Sequence, residues 1–170
     1  MTSTATAALT LDPESAPLPG ASMRVAMRRF FDRSFRMRGR ASRSEYWWWM
    51  LVNLVLVTTL QVVGPLIIAG RPLSDALNFG PFGSLVYPTL SIASWSDATT
   101  ANSPVLVALA FMVGGWVLLT AIPGIAIIVR RLHDSNLSGG WAFFALFPLG
   151  AIIVLGLALR SSDPEGARFD

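Results

Sequence analysis

Apolar positions in this chain gather into long uncharged blocks instead of alternating with polar ones. Residues 47–69 and 104–129 contain no Asp, Glu, Lys or Arg, and residues 141–159 repeat the pattern over a shorter length. At 1.5 Å per residue the first block would make a helix of about 34 Å, enough to cross a hydrocarbon core of about 30 Å. Two of the blocks open on helix-start signals. Ser42-Arg43-Ser44-Glu45 reads as a capping box, and Ser103-Pro104 as an N-cap followed by proline at the first helical position. Tyr46, Trp47, Trp48 and Trp49 supply an aromatic belt of the kind that sits at a membrane surface. Pro123-Gly124 predicts a kink in the second block, and Pro148 with Gly150 a bend in the third.

The segments between the blocks have other periods. From Met23 to Arg36, a helical wheel puts Met23, Ala26, Met27, Phe30, Phe31, Ser34 and Phe35 on one arc and Arg24, Arg28, Arg29, Asp32, Arg33 and Arg36 on the other. That pattern predicts an amphipathic helix in the headgroup region. Docking of the same stripe onto the protein's own spans is the alternative. Residues 1–21, with Pro13, Pro17 and Pro19 and no apolar period, read as a disordered tail. Residues 70–103 are broken by proline and glycine, so the apolar interval 79–95 is counted as a loop, with a short interfacial helix or re-entrant hairpin as its only regular options. The expected fold is an all-α membrane protein with three transmembrane helices, at about 47–69, 104–129 and 141–159, plus the N-terminal amphipathic helix. Residues 22–170 then form one membrane domain.

Composition agrees with this. Of 170 residues, 53% are hydrophobic and only 14% charged, with a mean hydropathy of +0.56, far from the balance of a soluble domain. All 13 basic residues are Arg. Eight of them precede the first block and two, Arg130 and Arg131, follow the second, whereas the long loop between these blocks carries only Arg71. The positive-inside rule then predicts a cytoplasmic N-terminus. With three spans it also predicts an outside C-terminus. A nucleic-acid binder would spread such charge over a folded polar surface, so nucleic acid is not expected as a partner. The absence of Cys removes disulfides, thiolate metal sites and Cys nucleophiles.

Three motifs carry a resemblance. Gly39-Arg40-Ala41-Ser42-Arg43-Ser44-Glu45-Tyr46-Trp47, then Arg130-Arg131-Leu132-His133-Asp134, then Ser138-Gly139-Gly140-Trp141, in this order and separated by apolar blocks, resemble the YhaH-like family of small bacterial inner-membrane proteins of unknown function. The resemblance runs from about Phe30 to Phe169. It implies a location in the bacterial cytoplasmic membrane and a common fold, and no activity, substrate or cofactor. The chain departs from the family pattern at Gly166-Ala167-Arg168-Phe169, where the family's tail usually reads Gly-x-Asn-Arg-Phe-Gly.

No residue in this pattern is assigned a catalytic, cofactor-binding or metal-binding role. The single His, His133, adjoins Asp134 in sequence, and helix neighbours do not face each other. Arg38, Arg40, Arg43, Glu45, Arg130, Arg131, His133 and Asp134 are all expected on one membrane face and form the candidate cluster. His133 and Asp134 would find partners there in Arg38, Arg40 or Glu45. A clamp holding helix ends together is the first reading of such charges, ahead of catalysis. The polar side chains within the spans, Asn53, Thr58, Thr59, Gln61 and Thr120, would line a pore only in an oligomer. The preferred expectation is a membrane-organising or adaptor protein that binds anionic lipid headgroups or a membrane partner. An oligomeric channel, or a small transporter subunit, is the alternative. Membrane lipid, a further copy of the chain and another membrane protein are the partners these readings allow.

Overall fold

The computed structural model describes residues 16–70, 72–73, 103–146 and 148–170, and every regular element among them is helical. Helix α1 spans Met23–Asp32. Helix α2, Arg43–Thr58, continues through one π-helical turn, Thr59–Val63, into α3, Gly64–Ala69. Helix α4 spans Pro104–Asp134, and a 3-10 segment, Gly139–Leu146, leads to α5, Pro148–Ala158. A short 3-10 turn, Pro164–Phe169, ends the chain. The expectations for residues 1–15 and for the interval 79–95 lie outside the described residues.

Two of the expected spans are present. The continuous run Arg43–Ala69 and helix α4 are each long and apolar enough to cross a membrane. Their exposed side chains include Leu51, Val55, Ile67, Phe111, Leu118 and Leu119, a surface suited to lipid. Ser42 and Glu45 form the capping box: the Ser42 hydroxyl accepts the Glu45 amide at 3.3 Å and the Glu45 carboxylate accepts the Ser42 amide at 2.8 Å. Ser103 and Pro104 open α4 as their sequence predicts. Pro65 interrupts the first run and has no N–H to give the carbonyl of Gln61. That carbonyl instead accepts the amide of Leu73 at 2.8 Å, so the break is repaired inside the protein. Helix α4 passes through Pro123 without a break.

The third expected span takes a different form. Residues 141–159 do not make one crossing helix but two short arms, the 3-10 segment and α5, which pack against each other. Their lengths are only about 16 Å each, half of a hydrocarbon core of about 30 Å. Both ends meet the same end of α4. Gly139 lies against Val129 and His133, while the carbonyls of Ala158 and Arg160 accept the guanidinium of Arg131. Residues 139–158 therefore enter and return, and the segment 160–170 sits on the end of α4 from which the hairpin left. Three crossings would instead carry residues 160–170 to the opposite end of α4. Where the two arms meet, Gly150 abuts the carbonyl of Phe144 so closely that no Cβ would fit there.

Helix α1 also differs from its expected form. It ends at Asp32, not Arg36, and its inner stripe is docked on the protein itself. Ala26 and Phe30 are buried, and the Phe30 ring stacks on Trp49 at 3.9 Å between centroids. Only Met23, Phe31 and Phe35 of the stripe remain exposed. Residues 16–21, expected within the tail, are held along the start of α2: the Leu18 amide donates to Glu45 at 3.1 Å, the Ala21 amide to Ser44 at 3.0 Å, and the Trp48 indole to the Ala21 carbonyl at 2.9 Å.

The hairpin turn makes a direct expectation. Gly150→Ala should lower the melting temperature of the purified protein in detergent, by the equivalent of about 1–3 kcal/mol for forced overpacking. Gly115→Ala, where nothing lies within 4 Å of the new methyl group, should leave it unchanged or slightly raised. Equal melting temperatures for both variants would mean that the turn does not depend on this contact.

Candidate functional site

The charged end of α4 is where the helices converge. Helix α4 is 31 residues long, about 46 Å, so its last turns extend past a core of about 30 Å and carry Arg130, Arg131, His133 and Asp134 beyond the uncharged run 104–129. Arg131 is fully buried and uses all three guanidinium nitrogens. Nε donates to the Ala158 carbonyl at 3.0 Å, Nη2 to the Arg160 carbonyl, and Nη1 to the Asp134 carboxylate. Arg43 donates to the same Arg160 carbonyl at 2.9 Å. The open Ala158 carbonyl at the C-terminus of α5 is thus capped by Arg131, and the Arg160 carbonyl just beyond it takes both Arg131 and Arg43, at the helix end that favours positive charge.

Asp134 completes this knot. It accepts Arg131 and the Ser162 hydroxyl, at 2.6 Å from the latter, and its backbone carbonyl accepts the Asp163 amide at 2.8 Å. Burial raises the pKa of Asp134, opposed by the Ser162 hydrogen bond and by Arg131. Burial lowers that of Arg131, opposed chiefly by Asp134. His133 points elsewhere. Its ring stacks on Phe169 at 4.1 Å and 4°, and Nδ1 faces the Gly39 carbonyl at 3.2 Å, which makes Nδ1 the protonated nitrogen. Burial lowers its pKa as well. Gly166 packs on the His133 carbonyl with no room for a side chain.

A second knot lies on the α1 side. Glu45 receives Arg29 at 2.6 Å in addition to its capping bonds. Arg130, only 2% exposed, sits near Arg29, Arg33 and Glu45, and its pKa is pulled down to about 10, first by burial and then by Arg33. Its Nε donates along its own helix to the Ala126 carbonyl at 3.2 Å. Arg40 closes the outer edge through a two-pronged bond to Asp170, with contacts of 2.6 and 3.0 Å.

Of the candidate cluster, the structure brings Arg40, Arg43, Glu45, Arg130, Arg131, His133 and Asp134 to one end of the fold, while Arg38 stands exposed. The expected cross-pairing does not occur. His133 and Asp134 do not reach Arg38, Arg40 or Glu45; their partners are Gly39, Phe169, Arg131 and Ser162. Sequence reasoning missed the C-terminal contribution of Ser162, Phe169 and Asp170, and the pairing of Arg29 with Glu45. The one signal for the former was the Gly-Ala-Arg-Phe run at 166–169, whose glycine and phenylalanine are the two residues that contact His133. Among the polar residues of the spans, Asn53 accepts the Trp116 indole at 2.9 Å, the Thr120 hydroxyl donates to its own helix at 2.7 Å, and Gln61 is buried. Among the described residues no three His, Cys, Asp or Glu side chains gather where a metal ion could sit.

Removing one partner from a buried ion pair leaves an uncompensated charge. Asp134→Ala should therefore destabilise the purified protein by about 3–5 kcal/mol in thermal unfolding. Asp32→Ala removes a pair with Arg28 whose side chains are 62% and 82% exposed, and should cost under about 1 kcal/mol. Similar costs at the two positions would show that the Arg131 knot does not hold the fold.

The geometry coincides with known sequences. Residues 34–170 match the family model described as "Protein of unknown function (DUF805)". Inner membrane protein YhaH of Escherichia coli (strain K12) is 25% identical over 133 residues, covering 78% of this chain and 82% of its own. Inner membrane protein YhaI of the same strain is 27% identical over 129 residues, covering 76% and 77%. No solved structure matches the chain at a significant level. The match begins at Ser34, after α1, and takes in the capping box, the Arg-Arg-Leu-His-Asp end of α4, the returning hairpin and the C-terminal turn that closes on His133. The chain is a membrane protein of the DUF805 family.

Proposed function

We propose that this protein organises lipid at the cytoplasmic surface of the inner membrane, holding anionic headgroups with the arginine face of α1. The observation that carries the reading is a division among the arginines. Arg29, Arg40 and Arg131 are paired with Glu45, Asp170 and Asp134, so the charge of these three is spent on internal partners. Arg24 and Arg28 are exposed on α1, on the turns that follow Met23, and Met23 itself reaches the lipid-facing side of α2 beside Leu51 and Val52. Phosphate is the natural partner for a guanidinium fork at that depth.

Orientation fits the same reading. With both chain ends on one side, every arginine except Arg71 falls on that side, Arg160 and Arg168 included. This is a stronger positive-inside bias than three crossings would give, and it favours a cytoplasmic collar. We prefer lipid organisation to an oligomeric channel because Asn53, Gln61 and Thr120 are occupied or buried between the helices and not turned outward to a pore. No reaction is assigned to the chain, since His133 and Asp134 are both committed to holding the C-terminal segment.

A hydrogen bond between charged partners is worth about 1.5–3 kcal/mol, so removing the two arginines that hold the phosphate should weaken lipid binding by about 100-fold or more. Native mass spectrometry of the purified protein with added phosphatidylglycerol should show that loss for Arg24→Gln/Arg28→Gln. The equal-charge control Arg38→Gln/Arg160→Gln, also at exposed sites, should retain the lipid. Equal loss in both variants would reduce the effect to general charge attraction and defeat the proposal.

A further inference from the structure

A groove runs down the outer face of the first span. It is lined by Met23 at one end, by Leu51, Val55, Leu56 and Leu60 along α2 and the π-helical turn, and by Met112 of α4 at the other wall, and encloses about 540 Å³. That volume is within the usual range for a small-ligand site. Its one polar side chain, Thr59, turns its hydroxyl to the Val55 carbonyl at 2.7 Å and offers the groove nothing. A polar ligand would find no partner in it. From Leu51 to Leu60 the groove follows nine residues of helix, roughly 13 Å, which is the depth of one leaflet of a core of about 30 Å. The groove is one leaflet deep.

The two ends differ in chemistry. At the inner end Met23 begins α1, and Arg24 and Arg28 stand exposed within the next two turns. Arg28 meets only Asp32, at 3.4 Å across a pair that is largely in solvent. At the outer end Met112, itself 57% exposed, closes an entirely apolar wall. Basic charge at the membrane surface above a leaflet-deep apolar channel complements a molecule with an anionic head and a long hydrocarbon tail.

We infer that the groove between α2 and Met112 holds one acyl chain of an anionic glycerophospholipid whose phosphate lies at Arg24 and Arg28. The inference rests on the headgroup reading above and adds to it a single defined site in place of a diffuse charged surface. Docking of α1 on α2 is what creates it. Phe30 on Trp49 fixes the helix, and the fixed helix sets Met23 over the top of the groove.

The test uses the full chain in nanodiscs of phosphatidylcholine containing a small fraction of phosphatidylglycerol with a photoactivatable diazirine near the middle of one acyl chain. Crosslinks mapped by mass spectrometry should concentrate on Leu51 to Leu60 and on Met112. They should be lost in Val55→Trp and in Met112→Trp, which fill the groove from opposite walls at exposed positions that the core does not use. They should also fall in Arg24→Gln/Arg28→Gln. Parental crosslinking in both tryptophan variants overturns the groove site while leaving the headgroup reading intact. Loss in the tryptophan variants with full retention in the arginine variant keeps a chain site and defeats the anionic headgroup. Equal labelling by a diazirine phosphatidylcholine, or labelling spread evenly over Leu118, Leu119 and Ile67, means ordinary solvation by lipid and overturns the inference.

Discussion

The fold depends on one buried guanidinium. Arg131 joins three things that the backbone alone cannot hold together: the end of α4 through Asp134, the end of α5 through the Ala158 and Arg160 carbonyls, and, with Arg43 on the same Arg160 carbonyl, the start of α2. A charge this deeply buried is costly unless every donor is used. Here every nitrogen is used, two of them on carbonyls left open at a helix end, so one side chain both satisfies backbone groups and fixes where the C-terminal segment lies. Asp134 then holds Ser162 and the Asp163 amide, and the chain continues to Phe169 on His133 and Asp170 on Arg40. The knot thus fixes where the returning hairpin ends, as Gly150 against Phe144 fixes where its arms meet.

This arrangement explains why arginine, and not lysine, fills the Arg-Arg-Leu-His-Asp end. A planar fork meets two carbonyls and a carboxylate at once, whereas an ammonium is a point charge with a strong preference for water. It also separates two populations of arginine that look alike in composition. Arg29, Arg40, Arg130 and Arg131 are built into the protein, and Arg24, Arg28 and Arg38 are presented at its surface. Arg40, Arg130 and Arg131 of the internal set lie in the stretch shared with the family, whereas Arg24 and Arg28 of α1, and the paired Arg29, precede it. The lipid site proposed for α1 is therefore a property of this chain's own N-terminal segment, set upon a common scaffold.

Several features were legible in the sequence because they are local. The capping box at Ser42 and Glu45, the Ser103-Pro104 start and the two uncharged crossing runs each rest on residues a few positions apart, and all appear as expected. The third run misled for a physical reason: hydropathy reports what solvent a segment prefers, and a half-depth hairpin prefers lipid as much as a full crossing does. What distinguishes them is Gly150 against Phe144, a contact invisible until the turn exists. The wheel at 23–36 marked Ala26 and Phe30, which are buried with Phe30 on Trp49, but it also put Met23, Phe31 and Phe35 on that face, which are exposed, and Arg33 on the other, which is buried. At the candidate site the members were legible and most of their pairings were not, because Ser162 on Asp134 and Phe169 on His133 lie almost thirty or more residues away in a tail that reads as merely polar.

The returning C-terminal segment is the central claim, and cysteine accessibility tests it most directly in a chain with no native Cys. Single cysteines at Met37 and Ser161, both exposed, should be protected from a membrane-impermeant maleimide in sealed cells and labelled after lysis, while one at Ser91, between the two spans, reacts from outside. Labelling of Ser161→Cys in sealed cells, with Met37→Cys still protected, would restore a third crossing and contradict the Arg131 knot.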